Sequence, residues 1–354
     1  HVLFRRQRQM CIRDSSRSGC SAASVDYIAP ATLSPGGRTA RFPSQAGVVP
    51  RSHLSRYTAT AVHRRPLTSA LLLFKTLWGW ADSLDKACEC SHREGFDGLE
   101  VNLDHPCLEA VPAAAIRRRL DSSQQRLILE IFTGGDYTPS LHWSPADHLA
   151  QLDQDLQRAA SLEPLKINLI TGSDSWSDAV QDDFLVALLN RLDVLPVAVM
   201  LETHRSRSLF DPWRLPARLQ RFPRLRLTAD LSHWCAVSER LMTPELAPVQ
   251  AMASRVDHIH ARVGHAQGPS VSHPFAPEWA EALEAHRRCW QLFLDQSART
   301  DQPFTITPEF GPDGYMPLQP FSAEPLADVQ ALNAEMASWL RSRLTIPASN
   351  SCSL

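Results

Sequence analysis

The alternation of hydrophobic and polar positions is regular from about Leu67 onward. Short apolar runs bounded by turn residues are typical of buried strands, and the longer amphipathic segments between them are typical of helices. The pattern predicts strands at residues 69–78, 97–103, 126–135, 164–172, 196–203, 224–230, 255–263 and 303–310. It predicts the helices that follow them at residues 82–94, 107–122, 144–161, 176–192, 211–221, 243–253, 277–299 and 325–342.

This succession of strand–helix pairs indicates an α/β protein with a parallel sheet. Eight pairs in a segment of this length favour a single (β/α)8 TIM barrel, which we place at residues 67–345. A doubly wound sheet is the second interpretation. That fold normally carries a glycine-rich phosphate turn after its first strand, and the segment LFKTLWGWAD contains no GxGxxG.

The two ends of the chain differ from this body. Residues 1–66 have no sustained helical or strand period and are rich in Ser, Arg, Gly and Pro, so we predict that they are disordered, as is the tail at residues 346–354. An Arg-rich, acid-poor composition is typical of an organellar targeting segment. The string MCIRDS instead resembles translated adapter sequence, which would make the segment artefactual. We expect residues 1–66 to be dispensable for folding.

Charge is distributed unevenly along the chain. Residues 1–70 hold 11 arginines and two acids, whereas the remainder holds 25 basic and 36 acidic side chains. An acidic body argues against nucleic acid as the main partner. No apolar run reaches the roughly 18 residues that cross a bilayer, and the eight cysteines form no CxxC pair. We therefore expect a cytoplasmic protein with reduced thiols and no membrane partner.

Chemically active side chains stand at the ends of four consecutive predicted strands. Glu202, Asp230, His260 and Glu309 end the fifth to eighth strands, and the active site of a TIM barrel lies at that edge. Three carboxylates that lie close together would repel one another, and a divalent cation stabilises such a cluster. Oxygen and nitrogen ligands favour Mn, Mg, Co or Zn. Each residue alone also has an ordinary interpretation, as a surface acid, a helix cap, a buried histidine or a turn acid.

The spacing of these residues resembles a known family. The set Glu202, Asp230-x-x-His233, His258-x-His260 and Glu309, with GFDGLEV and TPEFGPDGYM, is similar to the sugar phosphate isomerase/epimerase group of the xylose isomerase-like TIM barrels, over about residues 70–343. The resemblance implies that Glu202, Asp230, His260 and Glu309 bind the metal and that His233 contacts a substrate oxygen. The better-studied ketose epimerases place an Arg six residues beyond the ligand His. Position 266 is Ala, so Arg262 or His265 would have to serve.

The resemblance also implies an activity. We expect one divalent metal ion and an isomerase or epimerase that acts on a sugar, a sugar phosphate or a related hydroxy-ketone through an enediolate. Glu202 and Glu309 would carry the proton and His233 would assist. Further candidate substrate-binding groups are Lys75, Glu100, Asn168, His204, His258, Arg262 and His265. Lys75 has an alternative interpretation as a structural ion-pair partner.

Two other functions remain open from the sequence. The related apurinic-site endonucleases share the barrel but need a three-zinc cluster and a basic DNA face, and the acidic body weighs against both. A barrel that serves only as a binding module would not need the complete set of four ligands. We expect a small-molecule carbohydrate as the partner and allow for a homo-oligomer.

Overall fold

The computed structural model describes residues 71–109, 111–297 and 303–346. Its strands are β1 Leu71–Thr76, β2 Gly98–Asn102, β3 Arg126–Phe132, β4 Lys166–Ile170, β5 Ala198–Glu202, β6 Leu227–Ala229, β7 Val256–His260 and β8 Phe304–Thr307. Its helices are α1 Leu84–Arg93, α2 Ala113–Ser122, α3 Pro145–Ala160, α4 Asp178–Leu192, α5 Leu215–Arg221, α6 Leu231–Ser238, α7 Ala247–Met252, α8 Ala280–Ser297 and α9 Val329–Arg343.

The strands form a closed, all-parallel barrel in chain order, in which β8 pairs with β1. The predicted TIM barrel is therefore confirmed, and the doubly wound sheet is wrong. Closure places every strand's carboxyl end at one rim, because all eight strands run in the same direction. No helix among the described residues is both long enough and apolar enough to cross a membrane.

Side chains alternate between the inside of the barrel and the surrounding helices, as the two-residue period of a strand requires. Leu72, Phe74 and Ile128 pack together in a small cluster of their own, whereas Leu73, Leu127 and most other apolar side chains join the larger core. Parity along each strand therefore decides whether a polar residue faces the cavity or the helices.

A buried lysine lies inside the barrel at the amino ends of the strands. The Lys166 ammonium donates hydrogen bonds to the backbone oxygens of Asp257 and Pro303 at 2.7 and 2.8 Å and to Thr305 Oγ1 at 3.1 Å. Burial lowers the pKa of Lys166 to about 8. Since all three donors of the ammonium are used, Lys166 is satisfied by the protein and is not available to a ligand.

Helix starts follow local capping chemistry. Ser144 caps α3 in a reciprocal capping box with Asp147, at the Ser-Pro-Ala-Asp start that the sequence predicts. The predicted helix 107–122 is too long, because α2 begins only after Pro112, whose ring nitrogen has no hydrogen to donate.

Helix α6 was not predicted. Its sequence, LSHWCAVS, is buried through most of its first turns and therefore lacks the amphipathic period that marks a surface helix. Asp230 caps this helix by accepting a hydrogen bond from the Ser232 amide at 2.9 Å, so the helix-cap interpretation of Asp230 is confirmed. His233 lies in the first turn of α6.

The predictions for residues 1–66 and for residues 347–354 lie outside the described part of the chain. The described barrel runs from Leu71 to Arg343. The five cysteines of the described residues are free thiols, in agreement with the absence of a CxxC pair.

Candidate active site and metal centre

A cavity of about 390 Å³ opens inside the barrel at the carboxyl ends of the strands. Its lining includes Glu100 and Glu130 from the first half of the barrel and Glu202, Arg262 and Glu309 from the second half. This is the rim at which the sequence places the active site, so the cavity and the predicted chemistry coincide.

The four side chains predicted to bind a metal converge. Glu202 ends β5, Asp230 follows β6, His260 ends β7 and Glu309 follows β8. Each offers a ligand atom, and these atoms lie within 4.8 Å of one another. All four side chains are buried, so their mutual repulsion and attraction are only weakly screened by water.

One nitrogen of the His260 imidazole makes a hydrogen bond that orients the ring, and the other faces two carboxylates. Its Nε2 lies 3.1 Å from Glu100 Oε1, where it donates a hydrogen bond. Its Nδ1 has no hydrogen bond but lies 3.1 Å from Glu309 Oε2 and 3.4 Å from Glu202 Oε2. A metal-binding histidine usually donates its other N–H to a carboxylate, which fixes the ring and leaves a lone pair for the metal. This donor set fits a divalent cation.

The carboxylates of Glu202 and Asp230 also accept hydrogen bonds from neighbouring groups of the protein. Asn168 Nδ2 donates to Glu202 Oε2 at 2.7 Å, while the Ser232 amide and hydroxyl both donate to Asp230 Oδ1. Asn168 is thus inside the barrel, as expected, but contacts Glu202 and does not line the cavity. These hydrogen bonds orient the carboxylates before any ligand arrives.

Arg262 supplies the positive charge next to the carboxylates. Its guanidinium pairs with Asp230 Oδ2, lies 3.3 Å from Glu309 Oε2, and donates to Ser232 Oγ at 3.0 Å. It also lies 3.0 Å from His233 Nε2. Of the two residues proposed to replace the missing arginine at position 266, Arg262 is the one in the site.

The pKa values in the cluster move in different directions. Burial raises the pKa of Asp230 to about 6 and opposes ionisation of Glu202, but His260 and His204 lower the pKa of Glu202 to about 2. Burial also raises the pKa of Glu309, although His260 and Arg262 act against the shift. For His260, burial favours the neutral ring, whereas the surrounding glutamates raise its pKa well above the usual value. The surrounding carboxylates therefore favour a positive charge at the position of His260.

Two further groups of potential ligands are Glu100, His258 and His260, and Glu202, His204 and His233. Their additional histidines are already engaged. His258 uses Nδ1 with Thr305 Oγ1 at 2.7 Å and Nε2 with Glu100 at 3.0 Å. His204 uses Nε2 with Tyr137 and Nδ1 with the Arg205 oxygen. Neither histidine has a free ring nitrogen. His204 lines the cavity, whereas His258 contacts Glu100 and does not line it.

Two predicted substrate-binding residues lie elsewhere. Lys75 has the parity that faces the helices, and its ammonium forms a 2.9 Å ion pair with Glu94 outside the cavity. The ion-pair interpretation of Lys75 is therefore confirmed, and its assignment to the substrate is wrong. His265 packs against Trp279 at 4.7 Å between ring centroids in the loop after β7, and it too does not line the cavity.

His233 faces the cavity as a neutral ring. Burial, together with the cations of the neighbouring residues, lowers its pKa well below the usual value. Its Nδ1 is buried without a hydrogen bond, and its ring packs on His204 at 3.9 Å between centroids. A neutral imidazole with one unused nitrogen is suited to contact a substrate oxygen.

An aromatic wall that sequence reasoning missed covers the cluster. The Tyr137 hydroxyl contacts His204 Nε2 at 2.6 Å and the Tyr315 hydroxyl at 2.5 Å, and Trp78 packs edge-on against Tyr315. Tyr137 and Tyr315 come from loops after β3 and β8, where no strand or helix period marks them. The motif TPEFGPDGYM contains Tyr315, whereas Tyr137 has no such signal in the sequence.

Glu130 of β3 was also missed. It faces the cavity together with Phe132, two residues along the same strand. Burial and the nearby Glu309, Glu202 and Glu100 raise its pKa well above the usual value. The signal was present in RLILEIF, where a carboxylate occupies an inward position of an otherwise apolar strand.

Comparison with known proteins identifies the fold. No protein-family model matches the sequence, and no curated protein matches it either. Solved structures do match. A xylose isomerase domain containing protein from Salmonella typhimurium is similar with a TM-score of 0.54 and 12% identity, over 78% of this chain and 98% of that one. This chain has the xylose isomerase-like TIM barrel fold.

Two sugar epimerases share this fold. D-allulose 3-epimerase from Methylomonas sp. has a TM-score of 0.51 and 16% identity, over 78% of this chain and 99% of that one. An L-ribulose 3-epimerase has a TM-score of 0.51 and 13% identity, over 78% and 94% of the two chains. The resemblance predicted from the sequence is thus confirmed for the fold, and the activity has to be argued from the site.

Proposed function

We propose that this barrel is a divalent-metal-dependent isomerase or epimerase that acts on a sugar or a related hydroxy-ketone. The observation that carries the proposal is the state of His260. Its Nε2 is hydrogen-bonded to Glu100, whereas its Nδ1 makes no hydrogen bond and lies 3.1 Å from Glu309 Oε2 and 3.4 Å from Glu202 Oε2. A purely structural histidine in a dry interior would use both nitrogens, as His258 does.

Glu202, Asp230, His260 and Glu309 would hold one divalent ion, and their mixed oxygen and nitrogen donors suit Mn²⁺, Mg²⁺, Co²⁺ or Zn²⁺. When bound, such an ion polarises a carbonyl and stabilises the negative charge of an enediolate. The remaining chemistry falls to the side chains of the chain itself.

Glu202 and Glu309 are the proposed proton carriers. They come from different strands, both line the cavity, and both approach the same nitrogen of His260. One takes a proton from the carbon next to the substrate carbonyl, and the other returns a proton. Return to the opposite face of the same carbon gives epimerisation, whereas return to the neighbouring carbon gives isomerisation. Asn168 keeps Glu202 oriented for either outcome.

His233 and the aromatic wall would position the substrate. The unpaired Nδ1 of His233 offers a hydrogen bond to a substrate oxygen, and Tyr315 and Trp78 cover the cavity above the cluster. Covering the reacting carbons with aromatic rings excludes bulk water, which strengthens each electrostatic contact in the site. Aromatic surfaces also pack against the C–H faces of sugars.

The alternatives are less consistent with these contacts. A three-zinc nuclease centre needs further free ligands, but among the described residues both nitrogens of His204 and of His258 are engaged within the protein. A module that only binds would not require His260 Nδ1, which makes no hydrogen bond, to lie between two carboxylates. Both arguments favour a single metal ion and a small substrate.

Metal analysis and proton exchange test the proposal. The purified protein should bind about one Mn²⁺ or Co²⁺ per chain. Ketoses, aldoses and inositol-like ketones, with and without phosphate, should be incubated with the loaded protein in deuterium oxide, and uptake of deuterium at carbon should be followed by NMR. About three zinc ions per chain would indicate the nuclease, and the absence of any metal would indicate the binding module.

A further inference from the structure

The carboxyl group of Glu130 differs from the other acids of the cavity. Glu100 is bound by His258 and His260, Glu202 by Asn168, and Asp313 by the Trp78 indole at 2.7 Å. Glu309 lies against Arg262 and His260. Among the described residues, Glu130 has no hydrogen bond and no ion pair, although it lines the cavity and remains partly exposed to it.

Glu130 enters the cavity from a different side than His260. Its strand, β3, lies opposite β7 in the closed barrel of eight strands, so Glu130 faces the cavity from the side across from His260. In register it pairs with Asn102 of β2 and Asn168 of β4. A substrate held at the cluster would therefore extend its far end towards Glu130.

Among the described residues, the cavity also lacks a free cation. Within that part of the chain, Arg262 is the only Lys or Arg in the lining, and its guanidinium already contacts Asp230 and Glu309. Arg207 is buried and donates to the backbone oxygens of Thr133, Asp136 and Tyr137. Arg205 does not line the cavity, and its guanidinium lies 5.0 Å from the ring centroid of Tyr315. A phosphate group would therefore enter an acidic space without a partner.

We propose that Glu130 receives a hydrogen-bond-donating group, either a hydroxyl or an ammonium, at the end of the substrate away from the metal cluster, and that the cavity discriminates against a phosphorylated end. This inference rests on the proposed function, because the cluster defines which end of the substrate reacts. It names the substrate class of the same site: an unphosphorylated polyhydroxy ketone or its amino counterpart.

The physical basis is selective pairing. A buried polar group that is left without a partner costs about 1–3 kcal/mol, which corresponds to roughly a 5- to 150-fold change in affinity, so a substrate that pairs with Glu130 is favoured. A phosphate dianion at the same place would add negative charge to a cavity whose carboxylates already raise the pKa of Glu130 through mutual repulsion. Both effects favour the uncharged or cationic end.

Calorimetric titration tests the inference. The Mn²⁺-loaded protein should be titrated with free ketopentoses and ketohexoses, with their terminal phosphate esters, and with a ketohexose that carries a terminal amino group. We expect at least one free or amino sugar to bind at least 10-fold more tightly than its phosphate ester. The amino sugar distinguishes an ammonium donor, which should then bind more tightly than the hydroxyl compound.

Variants of Glu130 test whether this residue causes the preference for the free sugar over its phosphate ester. Glu130→Ala should weaken binding of the free sugar about 10-fold or more. Glu130→Gln retains the shape and an oxygen acceptor but cannot ionise, so it should weaken binding of the free sugar less and should reduce the ratio of free-sugar affinity to phosphate-ester affinity. Glu163→Gln, which removes an exposed acid outside the cavity, should leave both affinities unchanged. Thermal melting and Mn²⁺ content of each variant confirm that the fold and the cluster are intact.

Several results would overturn the inference: tighter binding of the phosphate esters, an unchanged preference in both Glu130 variants, or binding of no member of the panel. Its failure is distinguishable from failure of the proposed function. If Mn²⁺ binding and deuterium exchange were absent while sugar affinity still depended on Glu130, the proposed enzymatic function would be wrong and the role of Glu130 would stand. If deuterium exchange occurred on a phosphate ester independently of Glu130, the enzymatic function would stand and the role of Glu130 would be wrong.

Discussion

Strands β5–β8 and strands β1–β4 contribute different kinds of group to the same cavity. Strands β5–β8, the second half of the barrel, carry Glu202, Asp230, His260 and Glu309. One potential ligand atom from each of these side chains lies within 4.8 Å of the others. The first half carries side chains that support this cluster from across the barrel, such as Glu100, or that have no protein partner, such as Glu130.

The difference indicates a division of work. Groups that bind a metal or move a proton have to be held within a fraction of an ångström, and mutual contacts provide that restraint. Groups that recognise the rest of a substrate have to be available to it, so they remain unpaired in the free protein. Predictions that separate the two halves therefore test the whole interpretation.

The largest effect is expected from removal of a ligand in the second half. His260→Ala and Asp230→Asn should each abolish tight Mn²⁺ binding, because the first deletes a nitrogen donor and the second replaces a charged oxygen by an amide. Circular dichroism should show that the barrel still folds, and elemental analysis should show the loss of metal. Full metal occupancy in both variants would remove these residues from the metal site.

Replacement of a proton carrier should keep the metal but stop the reaction. Glu202→Gln and Glu309→Gln preserve shape and one oxygen ligand, yet the amide cannot accept a proton. Turnover on an identified ketose should fall about 10³-fold or more. In an epimerase, one variant should still exchange a carbon-bound proton with solvent from a single face. Near wild-type turnover in both variants would direct the search for the base to His233.

Removal of the support from the first half should have an intermediate effect. Glu100→Gln takes away the carboxylate that holds His260 Nε2, and we expect Mn²⁺ affinity to fall about 10- to 100-fold. Glu130→Gln is the matched control, since it changes a glutamate of the neighbouring strand that contacts no ligand residue directly. Equal losses in the two variants would contradict the distinction between the supporting and the receiving acid.

A structural pair in the first half should affect stability alone. Thr133 Oγ1 lies 2.6 Å from Thr171 Oγ1 and 2.8 Å from His148 Nδ1, and all three side chains are buried. Thr133→Val removes the hydroxyl that joins them, so we expect the free energy of unfolding to fall by about 1–3 kcal/mol. Mn²⁺ affinity should stay the same, and a concurrent loss of metal would show that the two halves are coupled.

The smallest expected effect is a pH dependence from His148. Burial, with a contribution from Arg207, lowers its pKa to about 4. Between about pH 6.5 and pH 4 the unfolded chain binds a proton that the folded protein does not, so stability decreases as the pH falls through this range. His148→Gln should reduce the slope of unfolding free energy against pH by at most about 1.4 kcal/mol per pH unit. An unchanged slope would mean that His148 is protonated in the fold.

Hydrophobic periodicity predicted the strands and the amphipathic helices well, and it predicted the buried helix α6 and the start of α2 poorly. The strands and most helices are where the pattern places them, because each strand buries a continuous apolar run. Helix α6 escaped prediction, since it is buried around most of its surface and shows no amphipathic period. The predicted helix at residues 107–122 begins too early, because Pro112 has no backbone N–H and the helix starts after it.

The site was predicted best where strand ends decide position. Glu202, Asp230, His260 and Glu309 converge because closure of the barrel brings the carboxyl ends of β5–β8 together, and this closure follows from the count of strands. The parity of Lys75 was readable in the sequence, yet only the ion pair with Glu94 distinguishes its two interpretations.

The amino-acid sequence by itself determined the strand–helix alternation and favoured a closed barrel with Glu202, Asp230, His260 and Glu309 at its rim. These properties depend on local periods and on chain order. Tertiary structure alone decided which nitrogen of His260 is free, that Arg262 and not His265 enters the site, and that Tyr137, Tyr315 and Glu130 line the cavity. Those outcomes depend on contacts between strands and loops distant in sequence, which no local pattern encodes.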